Sequence, residues 1–214
     1  MFNFFKKKER QSENTFTYIP PEPERVLFES SFEEDLCGWN ARGGAPIELS
    51  LTSETRHSGS SCLKITGRDE GWQGASLDIT KYMGDGLRHY EAMVWVKVPD
   101  DTPSCRVCLS LEVNSRIGSV VFPYYDHWDD YDGVNRALSK YRLPVNGKHD
   151  KNIEEWETAY PDGYVTKDGW VLLHGKVKIN HAEHFRAYVY IETNNQGANS
   201  DIYIDDFVLL RGAK

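Results

Sequence analysis

The sequence predicts an all-β protein, a β-sandwich of two antiparallel sheets, and three observations support this. The 214-residue chain is 13% aromatic and contains only three Met residues, whereas a helical protein would be rich in Leu, Ala and Met. Apolar and polar residues alternate in nine short runs, most of them separated by clusters of Gly, Pro, Asn or Asp. Outside one long insertion, no segment has a sustained helical period. A single sandwich domain with jelly-roll connections accounts for this pattern.

The chain divides into a tail and one β-sandwich module. Residues 1–24 are predicted to be a flexible N-terminal tail, because they are charged and polar and end in Pro20-Pro21-Glu22-Pro23. The module then spans residues 25–214. Its predicted strands are residues 26–32, 47–51, 61–66, 75–79, 90–98, 106–113, 170–179, 185–193 and 201–210.

Alternation within a strand separates its core face from its outer face. In the strand at 185–193, Ala187, Val189 and Ile191 share one face and are predicted to enter the core. The other face carries two aromatic rings, a cation and an anion: Tyr188, Tyr190, Arg186 and Glu192. Such a lining suits a sugar, because a ring stacks on C–H surface and charged groups hydrogen-bond hydroxyls. An ordinary solvated sheet face is the alternative.

A long insertion, at about residues 123–168, interrupts the strands. It begins with the aromatic and acidic stretch Tyr124-Tyr125-Asp126-His127-Trp128-Asp129-Asp130-Tyr131-Asp132. Long loops in compact domains are often functional, and one interpretation is that the insertion covers one end of the ligand site or contacts an adjoining domain. The other interpretation, a mobile surface excursion, is the one that the sequence favours. Its aspartates could hold a cation, but the spacing of an EF-hand is absent.

The net charge of −8 argues against nucleic acid and against an anionic membrane as partners, because both require a basic surface. A neutral ligand is compatible with this charge, and we expect a monomer. No secretory signal peptide is visible, since Phe2, Phe4 and Phe5 precede the first lysines and no apolar run follows them. No stretch is long enough to span a bilayer. The expected location is cytoplasmic by default, or secreted if the chain is a fragment.

The four cysteines, Cys37, Cys62, Cys105 and Cys108, are predicted to be free thiols. Cys105 and Cys108 form a lone CxxC, without histidines at the spacing of zinc ligands. They would point to opposite faces of their strand. A metal or redox pair is the alternative.

The sequence favours a binding module over an enzyme. A glycoside hydrolase needs two carboxylates that flank the scissile bond, and Glu192 is a lone acid on its predicted face. The chain contains no GxSxG, HExxH or Cys-His-Asp pattern. A jelly-roll module that binds protein through exposed aromatic residues is the alternative, and a hydrolase or lyase is disfavoured.

Several motifs occur in a defined order along the chain. They are Ser31-Phe32-Glu33, Gly38-Trp39-Asn40-Ala41-Arg42-Gly43, HSGSSCLKITGR at residues 57–68, Gly71-Trp72-Gln73-Gly74, Asp168-Gly169-Trp170, Tyr188-Val189-Tyr190-Ile191-Glu192 and Tyr203-Ile204-Asp205-Asp206. The ordered set resembles carbohydrate-binding modules of family 22, the xylan-binding jelly-roll modules that accompany xylanases and are related to the modules of families 4 and 9. The resemblance covers nearly all of residues 26–210.

The resemblance implies a non-catalytic module that binds β-xylan or xylo-oligosaccharides in a cleft on the concave sheet. Such a module serves polysaccharide degradation by targeting an attached or partner glycoside hydrolase to plant cell-wall polysaccharide. Another β-glucan is the alternative ligand. The cleft residues of the family correspond here to Arg42, Trp72, Tyr188 and Glu192, and Tyr190 shares their face.

The family uses one further aromatic residue in the cleft, and the insertion disturbs the region where it would fall. Trp156 and Tyr160 are both candidates. Elsewhere, Trp39 is predicted to be a core residue, and Trp72 has a predicted surface role because Gly71 and Gly74 flank it in a polar turn.

Two further residues have structural interpretations. Trp95 shares its strand face with Glu91 and Lys97, which predicts partial exposure. For Arg68, a structural ion pair is the alternative to a contact with ligand.

Modules of the family commonly carry a calcium ion that ties the first strand to the last. The candidate ligands here are Ser31 and Glu33, which would face the same side of one strand, together with the backbone carbonyl of Ser58 and the carboxylate of Asp205. Calcium prefers carboxylate and backbone oxygens. The alternative is that these acids cap solvent-exposed strand ends.

Overall fold

The computed structural model describes residues 21–82, 89–102, 105–115, 118–120, 137–143, 168–178, 184–193 and 197–212. Within them the chain forms twelve strands in two antiparallel sheets of six strands each, so the predicted all-β sandwich is confirmed. Helical structure in the same residues is limited to short 3₁₀ turns, which include Pro23–Arg25 and Thr80–Tyr82. The described part of the chain has no helix that is both long and apolar enough to cross a membrane.

The first sheet, sheet A, contains both terminal strands of the module. Its order is β10 (Val171–Lys178), β6 (His89–Lys97), β12 (Ile202–Arg211), β4 (Cys62–Thr66) and β3 (Glu48–Thr52), and β1 (Val26–Ser30) also pairs with β12. Ser30 at the end of β1 lies opposite Phe207 of β12. The first and last strands therefore hold each other in register.

The second sheet, sheet B, carries the predicted ligand face. Its order is β2 (Trp39–Arg42), β5 (Gly74–Asp78), β11 (His184–Thr193), β7 (Cys105–Ser115) and β8 (Gly118–Val120), and β9 (Ala137–Leu143) also pairs with β7. β11 lies between β5 and β7, so its side chains have neighbours on both sides.

All nine predicted strands are present, and the structure adds β2, β8 and β9. β2 is only four residues long and two of them are exposed, so its apolar pattern is too short to be recognised in the sequence. β9 lies within the predicted insertion, which is therefore not a loop throughout. The remaining insertion residues and residues 1–20 of the predicted tail lie outside the described residues.

The core between the sheets is built on aromatic and β-branched side chains. Trp39 is 2% exposed, as predicted, and its Nε1 donates to Ser30 Oγ at 3.0 Å. Its ring meets Phe207 edge to face, with centroids 5.1 Å apart and planes at 87°. The three predicted inward residues of β11, Ala187, Val189 and Ile191, are each fully buried. Burial of the indole with its N–H satisfied ties β2 to both terminal strands.

A second apolar cluster covers the outer face of sheet A. It includes Met93, Trp95 and Leu172, which are at most 4% exposed. The prediction of a partly exposed Trp95 is therefore wrong. The turn before β4 folds over the sheet, so that the His57 ring stacks on Trp95 with centroids 3.8 Å apart. The alternation of residues along a strand indicates which side of the sheet a side chain faces, but not whether a loop covers that side.

Cys37 and Cys62 are free thiols, as predicted, and burial raises the pKa of Cys62 to about 12. Cys105 and Cys108 lie in β7, and their side chains are outside the described residues.

The turn after β4 sets up a stability test. Gly67 has a φ of 71°, and a Cβ atom there would lie 2.2 Å from the backbone oxygen of Pro46. We expect Gly67→Ala to lower the free energy of unfolding by more than about 2 kcal/mol, because the left-handed conformation alone costs about 1–2 kcal/mol and the clash adds to it. Urea unfolding of the purified variant measures this loss.

Gly44 is the matched control, since its φ is 75° but an added Cβ would meet nothing within 4 Å. Gly44→Ala should cost only the conformational part, about 1–2 kcal/mol. Equal losses in the two variants would show that the contact with Pro46 does not constrain the turn.

Candidate saccharide-binding site

The outer face of sheet B is organised by the register of β2, β5 and β11. Asn40 pairs with Ser76, and Ser76 pairs with Tyr190, so these three residues form one row across the sheet. Asp78 and Tyr188 lie in the next row. Directly opposed residues in antiparallel strands share a face. Small polar side chains therefore lie beside the Tyr190 ring.

Arg42, at the end of β2, reaches across the sheet to β11. Its Nη1 donates to Glu192 Oε2 at 2.6 Å and to the backbone oxygen of Trp72 at 2.7 Å. Its guanidinium carbon lies 3.9 Å from the centroid of the Tyr190 ring. Gly74 is opposite Arg42 in β5, so no side chain on that strand blocks the path. One guanidinium thus holds a carboxylate, an aromatic ring and the Trp72 turn.

Trp72 presents an aromatic surface to solvent. It is 48% exposed, the one large hydrophobic residue in the described part of the chain that is exposed. Gln73 Oε1 accepts hydrogen bonds from the N–H groups of Asp69 and Glu70, at 2.7 and 2.9 Å. The Gly71 carbonyl accepts one from the N–H of Thr193 in β11. Trp72 is therefore exposed, as predicted, and its ring belongs to a turn that hydrogen bonds hold in place.

The two tyrosines of the face have different surroundings. Their rings are nearly parallel, with planes 6° apart and centroids separated by 6.2 Å. Tyr190 is 8% exposed, and one of its ring faces is covered by Arg42. Tyr188 is half-buried. Tyr190 therefore supports the guanidinium, whereas Tyr188 offers accessible ring surface.

The structure brings together Arg42, Trp72, Tyr190 and Glu192 and places Tyr188 next to them. Arg186 lies in β11, paired with Asn114 of β7. Trp156 and Tyr160, the candidates for a further aromatic residue, lie outside the described residues.

Sequence analysis raised a structural role for Arg68 but did not identify the partners that the structure shows. This residue is 5% exposed and donates to four backbone carbonyls and to the hydroxyl of Thr193. Its partners come from separate turns and from the end of β11, and no local pattern in the sequence indicates them.

The geometry of the site suits binding rather than glycoside hydrolysis. Trp72 and Tyr188 supply ring surface, and Arg42 and Glu192 supply fixed polar groups. Asp78 pairs with Tyr188, four residues from Glu192 along the strands, which is on the order of 13 Å. The two carboxylates of a hydrolase lie about 5–9.5 Å apart. Asp78 and Glu192 are therefore too far apart to form such a pair.

The predicted calcium ligands lie on the opposite side of the molecule, around residues 57–61. Asp205 is fully buried, and its Oδ2 accepts hydrogen bonds from the N–H groups of His57 and Ser58, at 2.9 and 3.1 Å. The Glu33 carboxylate accepts bonds from the hydroxyl and N–H of Ser60, which hold the pKa of Glu33 below its usual value. Glu33, Ser58 and Asp205 thus converge on one turn.

Two observations bear on the fit to a metal. β1 ends at Ser30, and Phe32 has a φ of 56°. Ser31 and Glu33 are therefore not part of a strand, and the prediction that they face the same side of one is wrong. In the described residues there is no group of three or more His, Cys, Asp or Glu side chains that could hold an ion. Calcium takes six to eight oxygen ligands. The two carboxylates would therefore have to be completed by hydroxyl and backbone oxygens.

Proteins of known function share parts of this sequence. Endo-1,4-beta-xylanase A of Thermotoga maritima is 40% identical over 72 residues, which is 34% of this chain and 6% of that protein. Endo-1,4-beta-xylanase C of Paenibacillus barcinonensis is 43% identical over 56 residues, 26% of this chain and 5% of that protein. The similar segments are thus a small part of these curated relatives.

Solved structures confirm the jelly-roll architecture. The CBM22-1 xylan-binding domain of Paenibacillus barcinonensis has a TM-score of 0.59 and 22% identity, over 88% of this chain and 96% of that domain. The C-terminal family 22 carbohydrate binding module of a Clostridium thermocellum protein has a TM-score of 0.63 and 19% identity, over 91% of this chain and 99% of that one. At these identities the likeness shows the fold.

A family model described as a carbohydrate binding domain matches residues 24–133, just over half of the 214 residues. The matched segment contains both Arg42 and Trp72. With the jelly-roll fold and an aromatic face held by Arg42, this match shows that the chain belongs to the carbohydrate binding domain family.

Proposed function

We propose that the outer face of sheet B binds β-xylan or xylo-oligosaccharides. The observation that carries this proposal is the cluster around Arg42, which holds Glu192, covers Tyr190 and anchors the exposed Trp72 turn. A xylose unit has C–H faces and hydroxyl groups but no charge. It is recognised by ring surfaces combined with donors and acceptors of fixed orientation.

The relatives support xylan as the ligand and a hydrolase as the partner. The proteins that share sequence with this chain are named endo-1,4-beta-xylanases, and the similar structures include domains named as xylan-binding. In the whole protein, the module would direct an attached or partner glycoside hydrolase to plant cell-wall polysaccharide.

Affinity electrophoresis against a panel of polysaccharides tests the proposal. We expect retardation by β-xylan, and weaker retardation by mixed-linkage β-glucan and by mannan. Trp72→Ala should lower the affinity for xylo-oligosaccharides by about 5- to 150-fold, which corresponds to the 1–3 kcal/mol of one aromatic anchor. Isothermal titration calorimetry gives this number directly.

Trp72→Phe is the matched control, because it keeps an aromatic ring in the same turn and should retain most of the affinity. Unchanged binding in Trp72→Ala would place the ligand elsewhere. Failure of the wild-type protein to bind any saccharide in the panel would favour a protein partner.

The Arg42–Glu192 pair generates a stability prediction. The side chain of Glu192 is 5% exposed, so loss of Arg42 removes a cation that lies 2.6 Å from a buried carboxylate oxygen. We expect Arg42→Met to lower the free energy of unfolding by about 1–3 kcal/mol. Adding Glu192→Gln in the same chain should recover part of that loss, because a neutral amide needs no counter-ion.

Chemical denaturation of the two single variants and the double variant measures this coupling. A double variant whose loss equals the sum of the two single losses would show that the pair does not contribute to the stability of the face.

We further propose a structural calcium ion at Glu33, Ser58 and Asp205. Burial raises the pKa of Asp205 to about 6, and a cation beside this carboxylate would offset its desolvation. The three residues connect the segment after β1 to β12 through the turn at 57–61, on the side away from the saccharide face. The ion would therefore stabilise the fold without contacting the ligand.

An ion that binds only the folded state stabilises it by mass action. Chelation should therefore lower the melting temperature, and added Ca²⁺ but not Mg²⁺ should restore it. Below the melting transition, the affinity for xylo-oligosaccharide should stay the same. A melting curve that chelator does not change would rule out the calcium site.

A further inference from the structure

Arg68 lies beneath the saccharide site with all of its donors engaged. It follows Gly67 after β4 and is 5% exposed. Its five N–H groups donate to the backbone oxygens of Gln73 (2.8 Å), Gly197 (2.8 Å), Ser200 (2.8 Å) and Gly71 (3.1 Å) and to Thr193 Oγ1 (2.6 Å). A guanidinium has five N–H donors, so every one has an acceptor.

The positions of these acceptors relate Arg68 to the ligand face. Gly71 and Gln73 are the residues on either side of Trp72, and Thr193 directly follows Glu192. Arg68 therefore hydrogen-bonds both to the turn that carries Trp72 and to the strand end that carries Glu192. Arg42 connects Trp72 and Glu192 from above, through its bonds to the Trp72 carbonyl and the Glu192 carboxylate.

Arginine has a specific advantage at this position. Its donors form a rigid planar fork, whereas lysine has three donors on one nitrogen at the end of a flexible chain. Several carbonyl groups in different directions can be held at fixed spacing only by such a fork. Burial of the cation is compensated when each N–H meets an acceptor.

We propose that Arg68 is a positioning residue for saccharide binding, which sets the spacing between the Trp72 ring and the Arg42–Glu192 pair. This role rests on the proposed function of the face. A site whose groups are already in place loses less conformational entropy when ligand binds. Arg68 acts on affinity through Trp72 and without touching the ligand.

A double-mutant cycle on the full chain distinguishes this positioning role from a general effect of Arg68 on the stability of the fold. We expect Arg68→Met to weaken xylohexaose binding about tenfold in the wild-type background and less than about twofold in the Trp72→Ala background, because residues that act through one another are not additive. Arg68→Lys should recover only part of the affinity. All affinities are measured by calorimetry at a temperature where each variant is folded.

Arg25→Met is the control for loss of a structural arginine. Arg25 bonds to Glu91 and to the Arg211 carbonyl on sheet A, so its loss should lower stability and leave affinity unchanged. Thr193→Val provides a milder change if Arg68→Met does not fold, since it removes one acceptor of Arg68. Thr193→Val should weaken xylohexaose binding more in the wild-type background than in the Trp72→Ala background.

A second measurement needs no ligand. In protein labelled with fluorotryptophan, the fluorine resonance of Trp72 is assigned by its absence in Trp72→Phe. Arg68→Met or Thr193→Val should shift this resonance and leave that of the core residue Trp39 in place, whereas Arg25→Met should not move it.

These readouts distinguish the two proposals. If the wild-type protein binds no saccharide, the proposed function fails, and the fluorine spectrum still decides whether Arg68 positions Trp72. If saccharide binds, equal losses of affinity in the two backgrounds, or a Trp72 resonance that Arg68→Met and Thr193→Val leave unmoved, would overturn the positioning role.

Discussion

An ion pair between residues 150 positions apart, Arg42 and Glu192, links the edge of sheet B to its middle strand. Removing a carboxylate from water is costly unless a cation and hydrogen bonds replace the water. Arg42 supplies the charge, and its guanidinium carbon lies 3.9 Å from the centroid of the Tyr190 ring. The same guanidinium donates a hydrogen bond to the backbone oxygen of Trp72. The arrangement of the candidate ligand face is therefore a consequence of how one buried charge is paired.

The site is supported at two levels by arginine. Arg42 lies on the face and organises side chains, while Arg68 lies below it and organises backbone carbonyls. Turns have few backbone hydrogen bonds of their own, and each free carbonyl or N–H needs a partner when it is buried. The turn that presents Trp72 meets this need with Gln73 and Arg68. An exposed ring can thus have a defined orientation without being part of a strand.

The two outer faces of the sandwich differ although both come from alternating strands. On sheet A, the turn at His57 packs onto Trp95, and the apolar residues around it are buried. On sheet B, small polar residues such as Ser76 lie beside the tyrosines, and Tyr188 stays half-exposed whereas Arg42 covers Tyr190. Whether a loop folds back over a sheet decides which face remains available for ligand.

Much of the architecture follows from the sequence alone. The period of two in β11 places Ala187, Val189 and Ile191 inside and Tyr188, Tyr190 and Glu192 outside, because side chains of a strand alternate between faces. Glycines beside Trp72 indicate a turn in which a large ring has few apolar neighbours. These properties are local, so local sequence patterns determine them.

Other features depend on contacts between distant parts of the chain. β2 contains too few apolar residues to be recognised, and it becomes a strand because β5 offers it a pairing edge. Trp95 is buried because a distant turn covers it, and Arg68 finds its acceptors in segments more than a hundred residues apart. Sequence by itself determined which residues face outward in each strand. Only the tertiary structure decided which of them are covered and which charges are paired, because coverage and pairing depend on loops brought together in space.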